Sequence, residues 1–201
     1  MIGKFIVFEG IDGAGKSTQI QKLEQRLNEH GIKTCLTFEP GDTKPGQIIR
    51  KMLFENMIDP LTEAFLFAAD RTLHVRNVVL PALKKGLCVI SDRFLLSSVA
   101  YQGYGKMLGA QFVKDLNTPV IGDLKPDLTI ILDVQVDMSL KRVHNANRFE
   151  QKGLLEKVRE GFLKEAQIDP NLVVIGAEKS ADEVFVDVWS KVSSLFIGGA
   201  K

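Results

Sequence analysis

The segment Gly10-Ile11-Asp12-Gly13-Ala14-Gly15-Lys16-Ser17, followed by Thr18, fits the spacing G-x-x-x-x-G-K-[ST]. It lies where an apolar run ends and a helical pattern begins, the setting in which that spacing folds into a phosphate cradle. The glycines let several N–H groups converge on one point. The positive end of the following helix faces the same point, and Lys16 adds a full charge. Ser17 offers a hydroxyl to Mg²⁺. A second pair, Asp92-Arg93, closes another apolar run. Asp92 can orient a water on Mg²⁺, and Arg93 can grip a phosphate through two parallel hydrogen bonds. An Asp–Arg surface pair capping the next helix is the alternative reading of those two positions. A loop of this kind holds a nucleoside triphosphate and leaves its fate open. A GTPase needs an N-K-x-D reader of guanine, which is absent. A mechanical ATPase usually ends a hydrophobic strand in adjacent acids, whereas here one acid is followed by a base. That base points to a second anionic substrate near the metal, and so to a small-molecule kinase.

Positioning these groups requires strands that end at one crevice. Short apolar runs at Lys4–Glu9, Lys33–Phe38, Leu87–Ser91, Leu128–Asp133 and Leu172–Ile175 alternate with stretches of helical spacing. Helices are expected from about Lys16 to His30, Gly46 to Glu55, Leu61 to Lys85, Ser97 to Gln102, Ala110 to Asn117, Val136 to Asn145, Leu154 to Gln167 and Ser180 to Phe196. This alternation predicts a doubly wound α/β fold with five parallel strands, whose ligand sites fall at the carboxyl ends of the strands. The polar, basic stretch from Arg142 to Lys152 interrupts the pattern and reads as a flap over the site. No repeat or linker divides the chain, so one domain over residues 1–201 is expected.

Composition narrows the classes. Twenty-six Lys and Arg against twenty-five Asp and Glu leave a net charge of +1, with no overall field toward a nucleic-acid polymer or an acidic membrane. No run approaches a bilayer span, and the first residues lack the pattern of a signal peptide, so a cytoplasmic protein is expected. Cys35 and Cys88 lie in apolar runs and read as reduced thiols. His30, His74 and His144 read as ordinary surface or helix residues.

The segment Asp92-Arg93-Phe94-Leu95-Leu96-Ser97-Ser98-Val99-Ala100-Tyr101-Gln102 resembles the D-R-[FYH]-x-x-S-[ST]-x-A-Y-Q signature of bacterial thymidylate kinases. Glu39-Pro40-Gly41 resembles their R-E-P-G-G-T loop, and Phe67 with Arg71 their F-x-x-x-R helix motif. The resemblance continues through Pro126–Asp133 and Val158–Phe162, nearly the whole chain. It implies a P-loop three-layer sandwich with a short lid, forming a homodimer and converting dTMP to dTDP with ATP and Mg²⁺. Phe67 and Arg71, four apart, share a helix face on which a ring can stack against a base while a guanidinium reaches its carbonyl; Phe67 alone would more often be core. By resemblance, Ser98 and Gln102 bond the thymine edge and Tyr101 crowds the 2′ position of the sugar, although packing alone would also explain Tyr101. Asp12 and Glu39 belong near the sugar or the acceptor phosphate. Arg50 matches an arginine at that phosphate, with a solvated helix face as its alternative.

Three positions depart from the pattern. Phe38 stands where Arg usually precedes Glu-Pro-Gly, Asp42 replaces the second glycine of that loop, and Gly176 replaces an Asp near the adenine.

In-line phosphoryl transfer leaves mainly alignment and charge neutralisation to the protein. An acceptor phosphate is already anionic and needs no general base, so no catalytic histidine is expected. Charge neutralisation is assigned to Lys16, Arg93, Mg²⁺ on Ser17 and Asp92, and the flap arginines Arg142 and Arg148. The loop positions Ile11, Asp12, Gly13 and Ala14 contain no base, as in relatives that use lid arginines. A solvated charged loop is the alternative for the flap pair.

Overall fold

The computed structural model describes residues 3–143 and 148–197; in the helix that begins at Arg148 the side chains before Lys152 lie outside the described residues, as does that of Ile197. Five strands, β1 (Phe5–Glu9), β2 (Thr34–Phe38), β3 (Cys88–Asp92), β4 (Leu128–Asp133) and β5 (Leu172–Gly176), pair in parallel in the order β2-β3-β1-β4-β5. Each lies within a residue of its expected position. β1, β3 and β4 are buried on both faces, which accounts for runs that are apolar throughout instead of alternating. The order reverses at β1, so the crevice opens between the ends of β1 and β3.

The helices are α1 (Lys16–Glu29), α2 (Lys44–Glu55), α3 (Pro60–His74), α4 (Leu80–Lys84), α5 (Leu95–Ser98), α6 (Ala110–Ile121), α7 (Val136–Arg142), α8 (Arg148–Ile168), α9 (Ala181–Val192) and α10 (Ser194–Ile197). Ile6 and Phe8 of β1 face the larger core, with Leu23 and Leu27 of α1 and Val184 and Val188 of α9. Phe5 and Val7 face a second core with Val75, Val79 and Phe94.

The long helix expected over Leu61–Lys85 is divided. Between α3 and α4 it widens into a π-turn at Val75–Val79, just before Pro81, which has no N–H to give and whose ring crowds the preceding turn. A second π segment, Val99–Gly105, replaces the end of the expected Ser97–Gln102 helix. Residues four apart there no longer superpose as in an α-helix. The flap stretch is also shorter than expected, because α8 is already helical from Arg148; residues 144–147 lie outside the described residues.

Candidate active site

The loop between β1 and α1 is tied to α7 by close backbone approach. Gly13 has φ +76°, and a Cβ there would lie 2.7 Å from the Ser139 carbonyl oxygen, so a side chain is excluded by both conformation and space. Ser139 Oγ donates to the Asp12 carbonyl at 2.5 Å, fastening the same turn. Lys16 folds back over the loop, its Nζ donating to the Gly10 and Ile11 carbonyls at 3.1 and 3.3 Å. Burial pulls the Lys16 ammonium down to about 8, with Arg93 pushing the same way while Asp92, Asp12 and Glu9 oppose it.

Arg93 approaches the loop from the end of β3. Its Nη1 donates to the Gly10 carbonyl at 3.0 Å and to Ser97 Oγ at 2.9 Å, and its Nη2 reaches Asp12 Oδ1 at 2.5 Å. The guanidinium lies 5.3 Å from the Tyr101 ring centre. Burial works against its charge, yet Tyr101, Asp12, Glu9 and Asp92 hold its pKa above the ordinary value. Lys16 and Arg93 thus converge on one carbonyl, Gly10, and both line a cavity of about 500 Å³ with Ser17, Asp92, Arg50 and Arg142. Ser17 Oγ donates to Asp92 Oδ2 at 3.4 Å, while Asp92 Oδ1 is buried without a partner. Two hard oxygens, one of them unsatisfied, fit a hydrated Mg²⁺.

The far wall is a buried polar network. Glu39 Oε2 accepts from Arg71 Nε at 2.9 Å, and Glu39 Oε1 lies 2.8 Å from His74 Nδ1. Arg71 Nη1 donates to Asn117 Oδ1 at 2.6 Å, and its Nη2 to the Phe94 carbonyl and Ser98 Oγ, each at 3.1 Å. These contacts engage four of the five guanidinium N–H groups. His74 is a helix residue, the last of α3, but is fully buried instead of lying at the surface, with Nε2 2.6 Å from Thr37 Oγ1. Thr37 in turn donates to Asp42 Oδ2 at 2.5 Å, giving the departure at position 42 a structural partner. Asp70 accepts from the Gly41 amide, and burial, with the Glu39 charge beside it, raises its carboxyl to about 6.

Gln102 Nε2 donates to Glu63 Oε1 at 2.6 Å, and Lys106 pairs with the other oxygen of Glu63. Gln102 Oε1 and Tyr101 Oη remain buried without partners among the described residues. Phe67 is half-buried on α3. Neither it, Ser98 nor Gln102 lines the cavity that joins Lys16 to Arg93. Arg50 donates to the Pro40 carbonyl at 2.7 Å, and its guanidinium lies 5.8 and 5.0 Å from the ring centres of Phe38 and Phe54. Where the resemblance calls for an arginine at 38, a ring carries one instead.

Arg142 reaches across the loop to the Gly13 and Ala177 carbonyls, each at 3.2 Å. It bounds a smaller hollow of about 200 Å³ beside Thr18 and Lys179. The Arg148 side chain lies outside the described residues.

Sequence reasoning missed Glu9, His74, Asn117 and Glu63. Glu9 carried a readable signal, an acid closing an otherwise apolar run. It is fully buried, and that burial lifts its carboxyl to about 7 even though Ser97, Arg93 and the Phe94 amide favour the ionised form.

Comparison with known proteins places these features in one group. The family model described as thymidylate kinase matches residues 8–188. A thymidylate kinase of Caldicellulosiruptor saccharolyticus is 43% identical over 202 residues, covering 97% of this chain and 98% of the relative. One of Halothermothrix orenii is 39% identical over 207 residues, covering 98% and 100%. The crystal structure of thymidylate kinase from Ehrlichia chaffeensis superposes with a TM-score of 0.82 at 32% identity, over 96% of this chain and 100% of that one. Likeness in sequence and in fold runs nearly the full length, and on that ground the chain belongs to the thymidylate kinase family.

Proposed function

We propose that this chain transfers the γ-phosphoryl group of ATP to dTMP, giving dTDP and ADP. The observation that carries this reading is the convergence of Lys16 and Arg93 on the Gly10 carbonyl within one cavity, since a donor and an acceptor phosphate must meet end to end. Gly10 to Thr18 are assigned to the ATP phosphates, with Lys16 neutralising the terminal ones. Mg²⁺ is assigned to Ser17 and Asp92, whose free buried oxygen supports the choice; when bound, the ion neutralises phosphate charge. Arg93 is assigned to the acceptor phosphate and to the charge that develops during transfer, with Asp12 orienting it. Arg50 supplies positive charge on the wall where Phe38 stands.

The thymine is assigned to Phe67, Arg71, Ser98 and Gln102, and the sugar to Tyr101 and Glu39. Buried polar atoms without partners, Gln102 Oε1 and Tyr101 Oη, support a polar ligand on that side. A site built from such groups rejects a base that leaves them unpaired. Arg142 and Arg148 are assigned to a lid over residues 142–152, which excludes water from the transfer. Residues 1–201 act as one kinase domain. We also infer a homodimer in the cytoplasm: Ile48 and Met52, one turn apart on α2, and Leu61 and Phe65, one turn apart on α3, are exposed apolar residues, and among the described residues no helix is long and apolar enough to cross a membrane.

ADP release measured with dTMP, dUMP, UMP and AMP as acceptors tests the reading. The expected order puts dTMP first, with AMP near background. Preference for AMP or UMP would assign another monophosphate kinase activity, and ATP binding without turnover on any acceptor would leave only a nucleotide-binding protein.

A further inference from the structure

Arg93 is one of only two non-glycine residues with positive φ among those described, at +74°. A side chain in this conformation persists only where its surroundings over-determine it. The surroundings here begin at the strand that precedes the phosphate loop. Glu9 Oε1 accepts from the Phe94 amide at 2.9 Å and the Ser97 amide at 3.1 Å, and Glu9 Oε2 accepts from Ser97 Oγ at 2.5 Å. With its proton committed to Glu9, Ser97 Oγ presents lone pairs to Arg93 Nη1 at 2.9 Å. The same Nη1 donates to the carbonyl of Gly10, the neighbour of Glu9. The Arg93 backbone is pinned from both sides, its N–H on the Phe8 carbonyl at 2.9 Å and its carbonyl on Ser91 Oγ at 2.7 Å.

We propose that Glu9 is a positioning residue for phosphoryl transfer. By gripping the two amides and the hydroxyl that follow Arg93, it fixes the guanidinium against the phosphate loop without touching either substrate. This rests on the reading of Arg93 as the residue that stabilises transfer. An amide at position 9 keeps acceptors for both backbone N–H groups. It cannot hold the arrangement, however, because an NH₂ facing Ser97 donates to the hydroxyl oxygen and competes there with Arg93.

A double-mutant cycle tests the proposal. Glu9→Gln, Arg93→Ala and the double variant are assayed for kcat and for the KM of ATP, with Ser97→Ala as a milder variant that leaves the carboxylate in place. The single changes Glu9→Gln and Ser97→Ala are each expected to lower kcat about 10- to 100-fold, the range seen when a partner that orients a functional group is lost. The KM for ATP should stay within about two-fold, because the loop amides are untouched. In the Arg93→Ala background neither change should lower kcat further, since groups acting as a unit are non-additive. Equal losses in both backgrounds would give Glu9 a merely structural role and overturn the proposal. So would full kcat in Ser97→Ala, which also decides the matter should Glu9→Gln fail to fold. Undiminished turnover in Arg93→Ala alone would instead overturn the reading of Arg93, a different outcome.

Discussion

Glu9 illustrates how one buried carboxyl marks the molecule's response to pH. Its folded-state value of about 7 lies above the 4.5 of an unperturbed glutamate, because burial disfavours the charge. The folded protein therefore holds a proton between those values that the unfolded chain releases, and stability falls as pH rises through that window. The shift corresponds to about 3 kcal/mol, present in full below pH 4.5 and lost above about 7. Denaturant unfolding of wild type and Glu9→Gln from pH 4.5 to 8 should show wild type losing about that much relative to the variant. A constant difference across the range would contradict the burial account. At this scale the phosphate loop and Asp92-Arg93 were legible because each is a local string with fixed spacing. The Glu39–Arg71–Asn117 network and the Glu9–Ser97 bond were not, since they join residues 32, 46 and 88 positions apart. Only the fold creates such neighbours.

The strands were legible as elements because β1, β3 and β4 are buried on both faces and their apolar runs stand out. The π segments were not, for they depend on packing that no local period encodes. The segment Val99–Gly105 lies against α8 through glycines on both sides. A Cβ at Gly105 would fall 2.8 Å from Val158 Cγ2, and one at Gly161 of α8 2.7 Å from the Tyr104 ring. Alanine at 161 would gain about 1 kcal/mol in helix propensity. The overlap also reaches Tyr104 Cβ at 2.9 Å, which cannot swing away as a side-chain tip could. Overpacking of this kind costs about 1–3 kcal/mol, so the steric term is expected to win. Gly161→Ala should lower Tm by about 2–6 °C in thermal denaturation; an unchanged or higher Tm would mean the two elements can separate without loss.

For the whole molecule, near-neutral charge and exposed apolar residues on α2 and α3 favour self-association over electrostatic capture of a partner. Light scattering at micromolar concentration should give about twice the 22.3 kDa chain mass. Phe65→Glu should halve it, and a monomeric wild type would contradict the dimer. Transfer between donor and acceptor requires two polyanions to meet in one cleft. Adenosine and thymidine joined by five phosphates present both at once. Calorimetry should find one such molecule per chain, bound at least about 100-fold more tightly than ATP or dTMP alone, and weakened by Lys16→Ala and by Arg93→Ala alike. Binding no tighter than that of ATP, or indifferent to Arg93, would mean that donor and acceptor do not share the cleft.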